Sequence, residues 1–122
     1  MVSVRKQLEE ALAELHERVP EVQGAIISRS DGLLIADNIN VDINKNIMAA
    51  MVASLSNVGK RVSTELNKGA TKTIMVESEQ GYIVVMEIKP HITLATILKP
   101  GSNIGLVLLE MQRSIEKIKK ML

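Results

Sequence analysis

Cysteine, phenylalanine and tryptophan are absent from this chain, and Tyr82 is its one aromatic residue. Without thiols there is no disulfide, no thiolate metal site and no cysteine nucleophile. Without aromatic platforms, the stacking that holds single-stranded nucleic acid has nothing to build on. An excess of one charge is lacking as well, since 15 basic and 14 acidic residues leave a net +1 at pH 7. The two signs are interleaved, so no long-range field recruits DNA, RNA or an anionic membrane. Nucleic acid is therefore not an expected partner. The one basic cluster, Lys117, Lys119 and Lys120, reads as a complement to the negative end of a terminal helix. No apolar run approaches the roughly 18 residues a membrane span needs. Glu9 and Glu10 come too early for the apolar stretch of a signal peptide. A soluble cytoplasmic protein is the expectation.

What remains is an ordinary globular balance, 46% hydrophobic and 24% charged over 122 residues. A single domain spanning residues 1–122 is expected, with a core of Ile, Val, Leu and Met. From Ser3 to Arg18 the apolar residues Val4, Leu8, Ala11, Leu12, Leu15 and Val19 recur at helical spacing. Pro20 ends that helix, because the residue before a proline is pushed out of the helical region. Gly24 to Ala36 then reads as a β-hairpin about Ser30-Asp31-Gly32, where glycine supplies a positive φ. Asp42 or Asn44 offers an N-cap to a long helix from Ile43 to Leu66. In that helix Ile43, Ile47, Met51, Ser54, Val58 and Val62 form one apolar stripe, which Met48, Val52, Leu55, Gly59 and Leu66 widen. Beyond it lie Ala49, Ala53, Ser56 and Ser63, small residues where a surface helix carries long charged ones. A helix this apolar needs a second surface besides its own sheet.

Lys72 to Glu77, Tyr82 to Lys89 and Ile92 to Leu98 read as strands joined by tight turns. Ser102 or Asn103 caps a last helix carrying Ile104, Val107, Leu108, Met111, Ile115, Ile118 and Leu122 on one face. The order α-β-β-α-β-β-β-α predicts an α+β fold. It is an antiparallel five-stranded sheet with helices on both faces, a three-layer sandwich. No solenoid repeat, low-complexity tract or linker interrupts it.

Catalytic constellations are wanting. His16, on the exposed side of the first helix, and His91, in a turn, have no ligand-spaced carboxylate or second histidine. No serine lies in a G-x-S-x-G elbow, and neither nucleotide-binding glycine motif occurs. Gly101 reads as turn chemistry and Gly105 as close packing of helix on sheet. Asp31, Asp37 and Asp42 are spaced too irregularly for a calcium loop. Arg29 and Arg61 are candidates for an arginine finger, but solvated surface charge accounts for both. No enzyme, metal or cofactor is expected.

The element order, the hairpin Gly24 to Ala36, the segment Glu77 to Val85 and the stretch Leu94 to Leu106 together resemble the roadblock / dynein light chain domain. The resemblance spans essentially the whole chain. It implies a two-fold homodimer in which the strand after the long helix, here Thr71 to Glu77, pairs with its mate. The two long helices then lie side by side. The residues implied at this dimer contact are Met48, Val52, Leu55, Gly59, Ser63, Thr73, Ile74, Met75 and Val76. The family's prokaryotic MglB-like members bind a small Ras-like GTPase and modulate its nucleotide cycle. A GTPase is thus the implied partner, on the outward side of the helix around Ala49, Ala53, Ser56, Asn57 and Lys60. An alternative is a scaffold subunit that assembles with other roadblock or longin-type chains without affecting turnover. A ligand-sensing module is a third reading, which needs a sizeable pocket between sheet and helix.

Overall fold

A computed structural model describes residues 3–122. Its elements run α1 (Val4–Arg18), β1 (Val22–Arg29), β2 (Leu34–Ile39), α2 (Lys45–Glu65), β3 (Thr73–Ser78), β4 (Gly81–Lys89), β5 (Ile92–Leu98) and α3 (Ile104–Lys119). This is the expected order. The strands form one five-stranded sheet in the order β2-β1-β5-β4-β3, every neighbouring pair antiparallel. The expected strand boundaries shift by a residue or two, as β1 begins at Val22 and β3 extends to Ser78.

Each helix starts on a polar cap, a Ser or Asn side chain that accepts from an N–H the first turn leaves without a partner. Ser3 accepts from the Lys6 N–H, Asn44 from Ile47 and Asn103 from Leu106. Asn44, and not Asp42, is therefore the cap of α2.

The sheet has two unequal faces. On one, α1 and α3 cover a large core that includes Leu8, Leu12 and Leu15 with Ile27, Leu94 and Leu98, closed by Met111, Ile115 and Ile118. On the other, α2 alone covers a smaller cluster of Ile26, Val85 and Ala95 beneath Met48, Ala49 and Val52. Strand alternation accounts for the split, since successive side chains point to opposite faces.

Two local expectations are corrected. His16 is half-buried, and its Nδ1 bonds the Val22 carbonyl, fastening the end of α1 to the first strand. Gly105 is exposed and lies against no sheet residue; a Cβ there would meet only the side chain of its own N-cap, Asn103. The close approach is instead at Gly81, with φ of +144°, where a Cβ would collide with the Leu98 carbonyl.

Candidate partner-binding interface

The long helix carries two apolar faces on opposite sides, and their burial separates them. Met48, Ala49, Val52, Ala53 and Ser56 are all buried against the subunit's own sheet. The small residues let the helix sit close to the strands. Ser28 Oγ donates to the Ala49 carbonyl at 2.7 Å, and Ser56 meets Thr93 beneath the helix at 3.3 Å. The expectation that Ala49, Ala53 and Ser56 face outward is therefore corrected. Their small side chains serve the approach to the sheet and not the approach of a partner.

Lys60 and Asn57 are also occupied within the subunit. Lys60 pairs with Glu87 of β4, and the Asn57 amide donates to the Ser30 carbonyl of the β1–β2 turn at 3.1 Å. Gly59 accommodates the Ile74 side chain of β3, and Thr71 Oγ1 donates to the Gly59 carbonyl at 3.2 Å and hydrogen-bonds Ser63 Oγ at 2.9 Å. Met48, Val52, Gly59 and Ser63 thus hold α2 to its own sheet and strand, while Leu55 is half-buried beside them.

The outward face is the first stripe of the sequence. Ile47 (57% exposed), Met51 (60%), Val58 (60%), Val62 (51%) and Leu66 (64%) stand in a row along α2 and its end. Two shallow apolar grooves follow this row. One, of about 490 Å³, is lined by Ile47, Ala50, Met51, Ser54, Leu55 and Val58. The other, of about 330 Å³, lies between Val58, Val62 and Leu66 and is flanked by Arg61 and Glu65. The amino-terminal half of the helix lies over β1 and the β1–β2 turn, through Ala49 and Ala50. The carboxyl-terminal half meets β3 where Gly59 faces Ile74, and meets the segment just before β3 where Ser63 bonds Thr71.

Strand β3 continues this surface. It is a sheet edge, and of Thr73 to Ser78 only Ile74 is partly buried. Met75 and Val76 are 47% and 37% exposed. The side chains of Ile74 and Val76 share the α2 face of the sheet, whereas Thr73, Met75 and Glu77 lie on the other, by strand alternation. A single subunit therefore leaves an apolar helix face and an unpaired strand edge next to each other. Contiguous apolar surface of this kind marks an interaction site.

Little else is chemically poised. Among the described residues no group of histidines and acids is placed to hold a metal ion, and no helix is long and apolar enough to cross a membrane. A cleft of about 560 Å³ opens between α3 and β4. Two of its charged groups already pair with lysines, Glu87 with Lys60 and Glu116 with Lys119. Arg29 is held by Asp31 through two bonds of 3.0 and 2.7 Å, which raises the guanidinium's pKa further. The same bonds, with a third from the Leu33 N–H, lower the Asp31 carboxyl to about 2. That pair links the two ends of the hairpin turn at the surface.

The layered sheet domain thus leaves one helix face and one sheet edge bare. The Roadblock/LC7 domain model matches residues 8–98, and the chain belongs to that family, whose domains are generally regulatory and not enzymatic. Three proteins of Methanocaldococcus jannaschii are similar along nearly their whole length; one is 27% identical over 118 residues, 97% of this chain and 98% of the relative. In fold the chain is similar to Myxococcus xanthus MglB (TM-score 0.87, 13% identity, 94% of each chain). It is likewise similar to an MglB in a tetrameric arrangement (TM-score 0.86, 18% identity, 99% of this chain and 91% of that one).

Proposed function

We propose that the protein is a homodimeric, non-enzymatic regulator that binds a small Ras-like GTPase and modulates its nucleotide cycle, acting in the cytoplasm as one roadblock domain. The observation that carries the reading is the second apolar face of α2. A subunit that has already buried Met48, Ala49 and Val52 still exposes Ile47, Met51, Val58, Val62 and Leu66. The class of partner is taken from the resemblance to the family's MglB-like members, and the likeness in fold to MglB is in keeping with it.

The helix divides this surface by position. Its carboxyl-terminal half overlies the β3 edge, so a two-fold axis beside that edge brings Val58, Val62 and Leu66 against their mates. The contact needs about 1,200 Å² or more of buried surface to be stable, and helix and strand would contribute to it together. The amino-terminal groove, around Ile47, Met51 and Ser54, lies farther from the axis and remains open for the partner.

Purified protein mixed with GTPases of its own genome, loaded with GDP or GTP, tests the reading. Nucleotide-dependent binding and altered hydrolysis are expected. Met51→Glu should weaken binding about tenfold or more while the dimer persists. No binding in either state, with turnover unchanged, sinks the regulator. In that case the scaffold reading gains. What favours it is that a single organism, Methanocaldococcus jannaschii, carries three chains similar to this one.

A further inference from the structure

We infer the register in which two copies of β3 join: Met75 lies on the two-fold axis, Ile74 faces Val76 of the mate, and Thr73 faces its Glu77. The inference rests on the dimer reading and specifies it to the residue. Strand β3 pairs with β4 from Thr73↔Met86 to Ser78↔Gly81 without a bulge, and Glu79 and Gln80 form the turn between them. The pair that closes a two-residue turn exchanges both of its hydrogen bonds, and bonded and non-bonded pairs then alternate. Ser78, Val76 and Ile74 therefore spend their backbone groups on β4. Thr73, Met75 and Glu77 direct their N–H and C=O groups to the open edge.

A two-fold axis perpendicular to the sheet keeps both α2 helices on one face. It sets opposite each other only residues whose side chains share a face; centring on either end, Thr73 or Ser78, pairs one strand residue alone, which leaves four registers, centred on Ile74, Met75, Val76 or Glu77. Centring on Glu77 sets like charges face to face, which is destabilising. Centring on Ile74 puts Lys72 opposite Val76. Centring on Val76 puts Met75 opposite Glu77 and Ile74 opposite Ser78, and leaves Thr73 without a partner strand residue. Centring on Met75 matches apolar with apolar beneath the helices and polar with polar on the opposite face of the sheet. It also places all three outward-bonding residues in bonded pairs, Met75 with itself and Thr73 with Glu77 twice over. The edge is self-complementary in that register alone.

The absence of cysteine makes the register directly readable. In a bonded antiparallel pair the Cα atoms are about 5.5 Å apart, within disulfide reach, whereas a displacement of two residues along the strand puts them at about 8 Å, beyond it. Met75→Cys should give a cross-linked dimer as its main oxidised product, and Val76→Cys at least tenfold less. Ile74→Cys and Val76→Cys proteins should cross-link to each other when mixed and allowed to exchange subunits. Circular dichroism checks that each variant is folded, and light scattering reports its mass before oxidation. Efficient cross-linking of Val76→Cys but not Met75→Cys overturns the register and keeps the dimer. A dimer by scattering in which none of these pairs cross-links overturns pairing through this edge. A monomer by scattering for the unaltered protein removes the dimer reading itself.

Discussion

Gly81 shows how one position can be fixed by both its torsion and its neighbour. Its φ of +144° suits glycine, and a Cβ there would strike the Leu98 carbonyl, a backbone atom of the paired strand that cannot swing away. Gly81→Ala should therefore cost about 2–3 kcal/mol, the scale of a residue held in a disfavoured conformation. Urea denaturation reads this as a lower midpoint at unchanged slope, and an unchanged midpoint contradicts it. The Arg29–Asp31 pair makes a second residue-level prediction. Because the folded carboxyl titrates at about 2, below its ordinary 3.8, what the pair contributes is present above pH 3.8 and is lost as pH falls through about 2. Both groups are exposed, so the signature is spectroscopic and not a large change in stability. Carboxyl-carbon NMR should place the Asp31 midpoint near 2, and Arg29→Ala should move it up towards 3.8. An Asp31 midpoint that Arg29→Ala leaves in place rules out the pairing as its cause.

Helix α2 shows what element-level reasoning from sequence does and does not decide. The existence of the helix, its span to within two residues and its need for a second surface are all legible from the spacing of Ile47, Met51, Val58 and Val62. Which apolar face turns inward is not. Periodicity gives two opposed stripes equal standing, and the larger side chains suggest the core. Depth is decided by the sheet: Ala49, Ala53 and Ser56 admit the helix close enough for Ser28 to reach the Ala49 carbonyl. The hydroxyls of Ser28 and Thr93 under the helix are the available signal, since buried hydroxyls need a near partner. The strands and caps are better specified, because Gly32 and Gly81 punctuate the hairpins and Asn44 and Asn103 have a side-chain carbonyl at the right spacing. The orientation has an experimental consequence. Val52→Glu or Met48→Glu places a charge inside the subunit and should unfold it, at a cost of about 4 kcal/mol or more. Val62→Glu should leave circular dichroism intact and halve the mass seen in light scattering. The reverse pattern shows that the faces are assigned the wrong way round.

For the molecule as a whole, stability and association are linked if the dimer is the native species. The melting temperature should then rise with protein concentration, and Val62→Glu should abolish that dependence. A melting temperature constant over a hundredfold dilution range contradicts a dimer coupled to folding. The two edges of the sheet are not equivalent, and their difference bears on how far assembly can run. Strand β2 pairs with β1 through a bulge at Ile27 and Ser28, and packs against both α1 and α2. Strand β3 pairs with β4 without a bulge and packs chiefly against α2. In the proposed dimer, β3 meets its mate and the joined sheet would end at both sides in the protected β2, so strand addition would be self-terminating. The bulge and the flanking helices thus act as end-stops, and the protein should remain free of thioflavin-binding fibrils at concentrations where an equally bare edge on both sides would propagate.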